Sequence, residues 1–136
     1  MAKQIFINLP VSDLPKAKAF YEAIGAVNNP QFSDHTSACM VLSETIFVML
    51  LTHDKWAQFT EKPIADTRNA SEVMLALSAD DRSAVDAVVN AARANGGKAD
   101  VNPQQDHGFM YGRSFEDLDG HIWETVFMDT SQMPQG

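Results

Sequence analysis

The chain has 136 residues, a formal charge of −8 and a hydrophobic fraction of 45%, a composition that suits one globular domain or two small halves sharing a core. Its lysines and arginines are scattered, so it lacks the basic face that nucleic acid or an anionic membrane surface demands, and no stretch approaches the roughly 18–20 apolar residues of a membrane span. A lone Cys39 excludes an internal disulfide and reads as a small buried hydrophobe; with a start that runs directly into a strand-like segment, the expected compartment is the cytoplasm.

Residues 4–9 read as a strand, closed by Pro10 because proline cannot donate to a ladder. Ser12 or Asp13 caps the following helix and Pro15 falls in its first turn, where a missing N–H costs nothing. Ala17, Phe20, Tyr21 and Ile24 recur at helical spacing as its buried stripe, and Gly25 ends it. A further strand is expected near 27–32, and residues 37–42 and 45–51 read as a hairpin around Ser43-Glu44. Trp56 and Phe59 suggest a short helix after Thr52 or Asp54, and 63–69 reads as a connecting loop or a lid. Then the scheme repeats. Residues 72–78 form a strand, and Asp80 or Asp81 caps a helix with the stripe Val85, Val88, Val89 and Ala92. Gly96-Gly97 stops it. Residues 98–102 suggest a short strand, and 109–115 and 121–127 two more around the turn 116–120. The tail, 130–136, has little to bury and is expected to fray.

The two strand starts, Phe6 and Met74, are 68 positions apart, half the chain. Internal repetition of this kind sets the architecture. It predicts an α+β domain over 1–136 made of two tandem βαβββ units, repeat 1 at about 4–53 and repeat 2 at about 71–129, joined by a linker at about 54–70. A curved, cup-like mixed sheet carries the helices outside. Half-size units bury their faces against each other, so the cleft is expected at their seam.

Four segments carry a resemblance. They are Asn8-Leu9-Pro10-Val11-Ser12-Asp13-Leu14 with Ala19-Phe20-Tyr21 and Gly25; Val48-Met49-Leu50-Leu51; Gly108-Phe109-Met110-Tyr111-Gly112-Arg113-Ser114-Phe115; and Asp117-Leu118-Asp119-Gly120-His121-Ile122-Trp123-Glu124. Over about 5–129 the chain resembles the glyoxalase, bleomycin-resistance and extradiol-dioxygenase (vicinal oxygen chelate) superfamily, nearest to a subgroup labelled predicted lactoylglutathione lyase. Metal-dependent members place one ligand on each of four strands. The resemblance puts those positions at Phe6, Leu50, Met74 and Glu124. Phenylalanine and leucine offer no lone pair, methionine's thioether is too soft for Mg, Mn, Ni or Zn in such a site, and one carboxylate cannot replace a hydration shell. His121 and Glu124, three apart on a strand, point to opposite faces; His53 is out of phase with Leu50, and His107 and His35 lie in loops. The expectation is therefore no metal and no other cofactor. The alternative is a divalent metal held by Glu124 and a rebuilt ligand set that includes His107.

With Phe6, Leu50, Met74 and Glu124 facing inward, Asn8, Val48, Thr52, Ala76, Ile122 and Val126 follow by alternation, and Tyr111 or Arg113 supplies a donor. That lining reads as a small-molecule site or as plain core. Glu124 is the candidate catalytic residue or ligand anchor, because a buried carboxylate needs solvent, a partner such as Arg113 or Asn8, or a proton. Phe6, Asn8, Leu50, Met74, Tyr111 and Arg113 are the candidate substrate contacts. The expected function is metal-free binding of a small, partly apolar molecule, as bleomycin-resistance proteins sequester theirs. A metal-dependent lyase or extradiol dioxygenase is the alternative. In this fold the halves make their cup within one chain or by pairing across two, so the resemblance also implies a homodimer. No serine sits in a Gly-x-Ser-x-Gly elbow, and Ala94-Asn95-Gly96-Gly97 is a helix stop and no phosphate loop.

Overall fold

The computed structural model describes residues 2–132. The fold is mixed α+β, and the chain divides into two compact units, Met1–Asp66 and Thr67–Gly136, each with its own sheet.

In the first unit β1 (Ile5–Val11) leads into α1 (Leu14–Ala23), then β2 (Val27–Asn29), a 3₁₀ turn (Pro30–Phe32), β3 (Ser37–Val41), β4 (Ile46–Thr52) and α2 (His53–Ala57). The sheet order is β1-β4-β3-β2, with β1 parallel to β4 and the other pairs antiparallel. Pro10 lies inside β1 and pairs with Leu51; it does not end the strand as expected. β1 is an edge strand, and an edge tolerates the missing donor. The Asp13 side chain caps α1 by accepting from the Lys16 N–H at 3.1 Å. Gly25 follows the helix at φ +111°, a conformation that glycine adopts without a Cβ penalty.

The register decides which side chains α1 covers. Cα partners in a ladder point to one face, so Ile7, Leu9 and Val11 share a face with Val48, Leu50 and Thr52, and with Ala38 and Met40. This is the helix face. Leu9, Val11, Met40, Val48 and Leu50 are buried there, as are Ala17, Phe20 and Tyr21 of α1. Burying each such large side chain stabilises by roughly 1.5–3 kcal/mol. The far face carries Phe6, Asn8 and Pro10 beside Phe47, Met49 and Leu51, with α2 against β1 and β4 at its end. Cys39 is buried on β3, and burial pushes its thiol up from its ordinary value, which keeps it protonated and inert.

In the second unit β5 (Met74–Ser78), α3 (Arg82–Ala94), β6 (Lys98–Ala99), β7 (Gln105–Asp106), β8 (Met110–Glu116) and β9 (Ile122–Met128) follow in order. The sheet runs β5-β9-β8-β6, with β7 also on β8. The edge strand β5 is again parallel to its neighbour. Asp81 caps α3 through the Ala84 N–H at 2.7 Å. The two capping aspartates are 68 positions apart, so the internal repetition is real at the level of helix starts. Val85, Val89 and Ala92 are fully buried on α3, which packs on β8, β9 and β6 and so faces Phe115, Trp123 and Thr125. β7 was not expected from the sequence: two polar residues give no apolar alternation to read. The tail is ordered as far as a 3₁₀ turn at Thr130–Gln132, whose Ser131 N–H and hydroxyl both donate to Asp129. Residues 133–136 lie outside the described residues.

Two polar devices tie loops to this second sheet. Arg113, 8% exposed, reaches out on the helix side of β8. It grips Asp100 through Nε (3.0 Å) and Nη2 (2.8 Å), and Asp86 of α3 through Nη1 (3.0 Å). Asp86 also accepts from the Tyr111 hydroxyl at 2.7 Å. The other device is the turn 117–121. Asp117 accepts from the Asp119 and His121 N–H groups, each at 2.9 Å, and Gly120 sits at φ +89° with Thr67 O only 2.5 Å from where a Cβ would stand. The Thr67 hydroxyl donates to Asp119 O at 2.6 Å.

Gly120→Ala therefore meets both a backbone clash and an unfavourable φ. It is expected to cost on the order of 2–4 kcal/mol in denaturant melts. Gly108→Ala, at φ +78° with open space around it, is expected to cost only the conformational part, about 1 kcal/mol. Equal costs would refute the close-approach argument.

A second expectation concerns pH. Asp100 is held below its ordinary pKa chiefly by Arg113, and Asp86 by the Tyr111 hydroxyl and then Arg113. Depressed carboxyls contribute stability that is complete above the unfolded value of about 3.9 and is lost as pH falls through the lower folded values. Wild-type melting temperature should fall steeply below about pH 4, and the fall should be shallower in Arg113→Met. At neutral pH Arg113→Met is expected to cost about 2–3 kcal/mol, less than a fully buried pair because Asp86 and Asp100 reach solvent.

Candidate functional site

Glu124 lies at the centre of β9, half-buried, on the face turned away from α3. Its ladder partners are Ala76 on β5 and Ser114 on β8; Met74 and Ile122 share that face one step along. The loop after β6 brings Asn102 over them. The Asn102 side-chain amide donates to Glu124 Oε1 at 3.5 Å and lies 3.4 Å from the Met74 sulfur. Ser114, almost fully buried, holds that loop in place: its hydroxyl accepts from the Asn102 N–H at 2.8 Å and donates to Asn102 O at 3.4 Å. Among the described residues Asn102 is the one hydrogen-bond partner of Glu124, and at 3.5 Å that bond is long. A carboxylate offers about four acceptor positions, so most of its capacity faces the open surface. Met74 is 59% exposed.

Met74 and Glu124 are thus brought together as expected. Tyr111 and Arg113 are not. They pair with Phe127 and Thr125, which places them on the α3 face, where Asp86 and Asp100 occupy their donors. The donor beside Glu124 is Asn102, with Ser114 behind it. The turn length carried the signal: Asp117 N–H donates to His121 O at 3.0 Å, which closes the hairpin so that 114, and not 113, faces 124. Nothing in the sequence pointed to Asn102, whose position depends on the left-handed φ of +56° at Asp100.

In the first unit Phe6 and Asn8 are exposed on the far face, and Phe6 stacks on Phe47 with centroids 4.8 Å apart. Leu50 is a correction. It pairs with Leu9 on the helix face and has no exposed surface, so it cannot share a face with Phe6. Val48 and Thr52 fall with it. The slip is one residue, and one residue exchanges faces. The internal repetition identifies the right position. Asn8 pairs with Met49 and Ala76 pairs with Glu124; Asn8 and Ala76 are 68 apart, so Met49 is the counterpart of Glu124. At the far end of the same face Asn8, Leu51, Trp56, Phe59 and Thr60 line a cavity of about 190 Å³.

The metal positions implied by the resemblance now read Phe6, Met49, Met74 and Glu124. These positions supply one hard ligand, two thioethers and an aromatic ring, donor types that do not fit a divalent metal centre. Among the described residues no three His, Cys, Asp or Glu side chains are grouped to hold an ion. The histidines do not rebuild it: His107 engages Gln105 at 2.9 Å, His53 opens α2, His35 is exposed in a loop, and His121 is buried in the 117–121 turn. No helix among the described residues is long and apolar enough to cross a membrane.

Comparison with known proteins completes the description. No curated protein matches the chain. A hypothetical protein of S. aureus is 28% identical, with a TM-score of 0.76 over 93% of this chain and 95% of that one. A glyoxalase-related enzyme from Fulvimarina pelagi (20% identity, TM-score 0.77, coverage 100% and 94%) and the fosfomycin resistance protein FosX from Mesorhizobium loti (14%, 0.69, 97% and 97%) share the fold. The model of the Glyoxalase/Bleomycin resistance protein/Dioxygenase superfamily matches residues 3–125. With nearly its whole length matched, the chain belongs to that superfamily.

Proposed function

We propose that this chain binds a small, partly apolar molecule without a metal, and that Glu124 anchors the ligand by accepting a hydrogen bond from it. The observation that carries the reading is the pairing of a half-buried carboxyl that has one long hydrogen bond with exposed Met74 on the same face. Apolar surface with a single convergent polar group is the composition of a small-molecule site. Phe6, Asn8 and Met49 offer a similar mixture in the first unit. Glu124 would also serve as a base toward a ligand C–H or O–H. The reading further includes a homodimer. Ile5 and Phe6 on edge strand β1, and Val73 and Met74 at edge strand β5, are all more than half exposed, and exposed apolar edges invite pairing.

Thermal melts against a panel of aromatic and amphipathic compounds test the binding. At a ligand concentration of 100 Kd the gain is about 2.7 kcal/mol, several degrees for a domain this size. A panel without one shift counts against the reading. Ni, Zn, Mn and Fe should give no shift, and metal analysis of untagged protein should find no stoichiometric ion; a bound ion would instead favour a metal-dependent lyase, such as lactoylglutathione lyase, or a dioxygenase. Glu124→Gln should keep the fold and weaken a donor-bearing ligand by about 10–100-fold, the scale of a hydrogen bond to a charged group. For the dimer, sedimentation velocity at micromolar concentration should report two 15.0 kDa chains; a monomer would remove that part.

A further inference from the structure

A larger cavity of the first unit is built from other residues. It has a volume of about 430 Å³ and opens between the start of α1 and the loop before β3, within the range of roughly 300–1,000 Å³ that holds small molecules. Leu14 and Ala38, both buried, line it from the core side. Pro15 and Pro30 add a stiff apolar rim.

Two opposite charges line this cavity without pairing. Lys18 is half-buried on α1, and Asp34 is exposed in the loop. The ion pairs among the described residues are those of Arg82 and Arg113, so neither Lys18 nor Asp34 has a counterion, and the two do not reach each other. The Asp34 carboxylate is used on one side only. Its Oδ1 accepts from the Thr36 N–H (2.7 Å), the Thr36 hydroxyl (2.6 Å) and the Ser37 N–H (3.0 Å), while Oδ2 accepts nothing among the described residues. These bonds, that of the Thr36 hydroxyl foremost, hold its pKa down to about 2, so Asp34 is an anion at neutral pH.

The loop is fixed before any ligand arrives. The Ser33 hydroxyl donates to Asn29 O at 2.7 Å and accepts from the Cys39 N–H at 3.1 Å. The Asn28 amide donates to the Ser33 hydroxyl at 3.0 Å and to Cys39 O at 3.3 Å. That leaves the Asn28 Oδ1, also at the cavity, as an open acceptor.

This lining narrows what the cavity takes. An anion alone would meet Asp34, and a cation alone would leave Lys18 unanswered. A ligand with both charges answers both, provided they are separated as lysine and aspartate are. Two extended residues span about 7 Å, and the peptide N–H between them suits the Asn28 oxygen.

We propose that this cavity binds a short apolar peptide, a dipeptide free at both ends, with its carboxylate on Lys18, its ammonium on Asp34 Oδ2 and its apolar side chain against Leu14, Pro15 and Pro30. The proposal goes beyond the reading of Glu124 and does not depend on it.

Alanyl-phenylalanine, its C-terminal amide and its N-acetyl derivative differ only in their end charges. Each is titrated into the ¹⁵N-labelled full chain at physiological salt. The free dipeptide should move the backbone amide signals of Lys18, His35 and Ala38 saturably and leave those of Asn102 and Glu124 in place. Each blocked form should bind about three- to tenfold more weakly, a loss between that of an exposed ion pair and that of a hydrogen bond to a buried charge. Lys18→Gln should weaken the free dipeptide to the level of its amide and leave the amide unchanged. Asp34→Asn keeps an acceptor for the loop N–H groups and should remove the advantage of the free dipeptide over the N-acetyl form; if that variant does not fold, Lys18→Gln and the wild-type comparison decide. A blocked form that binds as tightly as the free dipeptide overturns the proposal, and so does the absence of a saturable shift. Shifts at Asn102 and Glu124 instead would also overturn it, and would place the dipeptide at the other site.

Discussion

A strand shows a covering helix only every second side chain, and this alternation governs everything else in the molecule. In each unit one helix packs on the sheet, α1 on β3 and β4 and α3 on β8 and β9, beside a parallel edge pair, β1 with β4 and β5 with β9. Apolar burial on the helix side pins the register, because a shift of one residue would send Val48 and Leu50 out and Phe47 and Met49 in. Once the helix face is filled, the far face is whatever remains. The candidate chemistry lies there: Phe6, Asn8 and Met49 in the first unit, Met74 and Glu124 in the second.

The charged residues of the second unit divide along the same line. Arg113, Tyr111, Asp86 and Asp100 lie on the helix side and satisfy one another, which makes them a clamp for the loop after β6. Their contacts with one another are made on the α3 face, away from Glu124. Glu124, one position off that set in the ladder, has only a long bond from Asn102. The clamp nonetheless serves the site indirectly. Arg113 holds Asp100, whose left-handed backbone turns the chain toward Asn102, and Ser114 completes the placement from the opposite face. The clamp and the candidate site thus meet in one short loop.

Membership of a superfamily does not transmit its chemistry. Counterparts identified through the internal repetition carry a phenyl ring, two thioethers and one carboxyl. Neither unit's share of these positions supplies the hard ligands that a divalent centre requires.

Much of this was legible from residue order alone. Tandem strand-helix starts 68 positions apart, the capping role of an aspartate before α1 and α3, the stripes Ala17-Phe20-Tyr21 and Val85-Val89-Ala92, and the resemblance of the opening and closing segments all depend on local periodicity and cap chemistry, which neighbouring residues settle among themselves. Facing was not legible at three of the seven candidate positions. Leu50 was assigned to the wrong side because its face depends on pairing with β1, about 40 residues away, through a register that no local pattern records; Tyr111 and Arg113 were misplaced because the length of the 117–121 turn, which sets the β8–β9 register, was not read. Asn102 belongs to the same class, since it reaches Glu124 through a left-handed turn. Local energetics chose the elements; only long-range packing chose which atoms stand beside which.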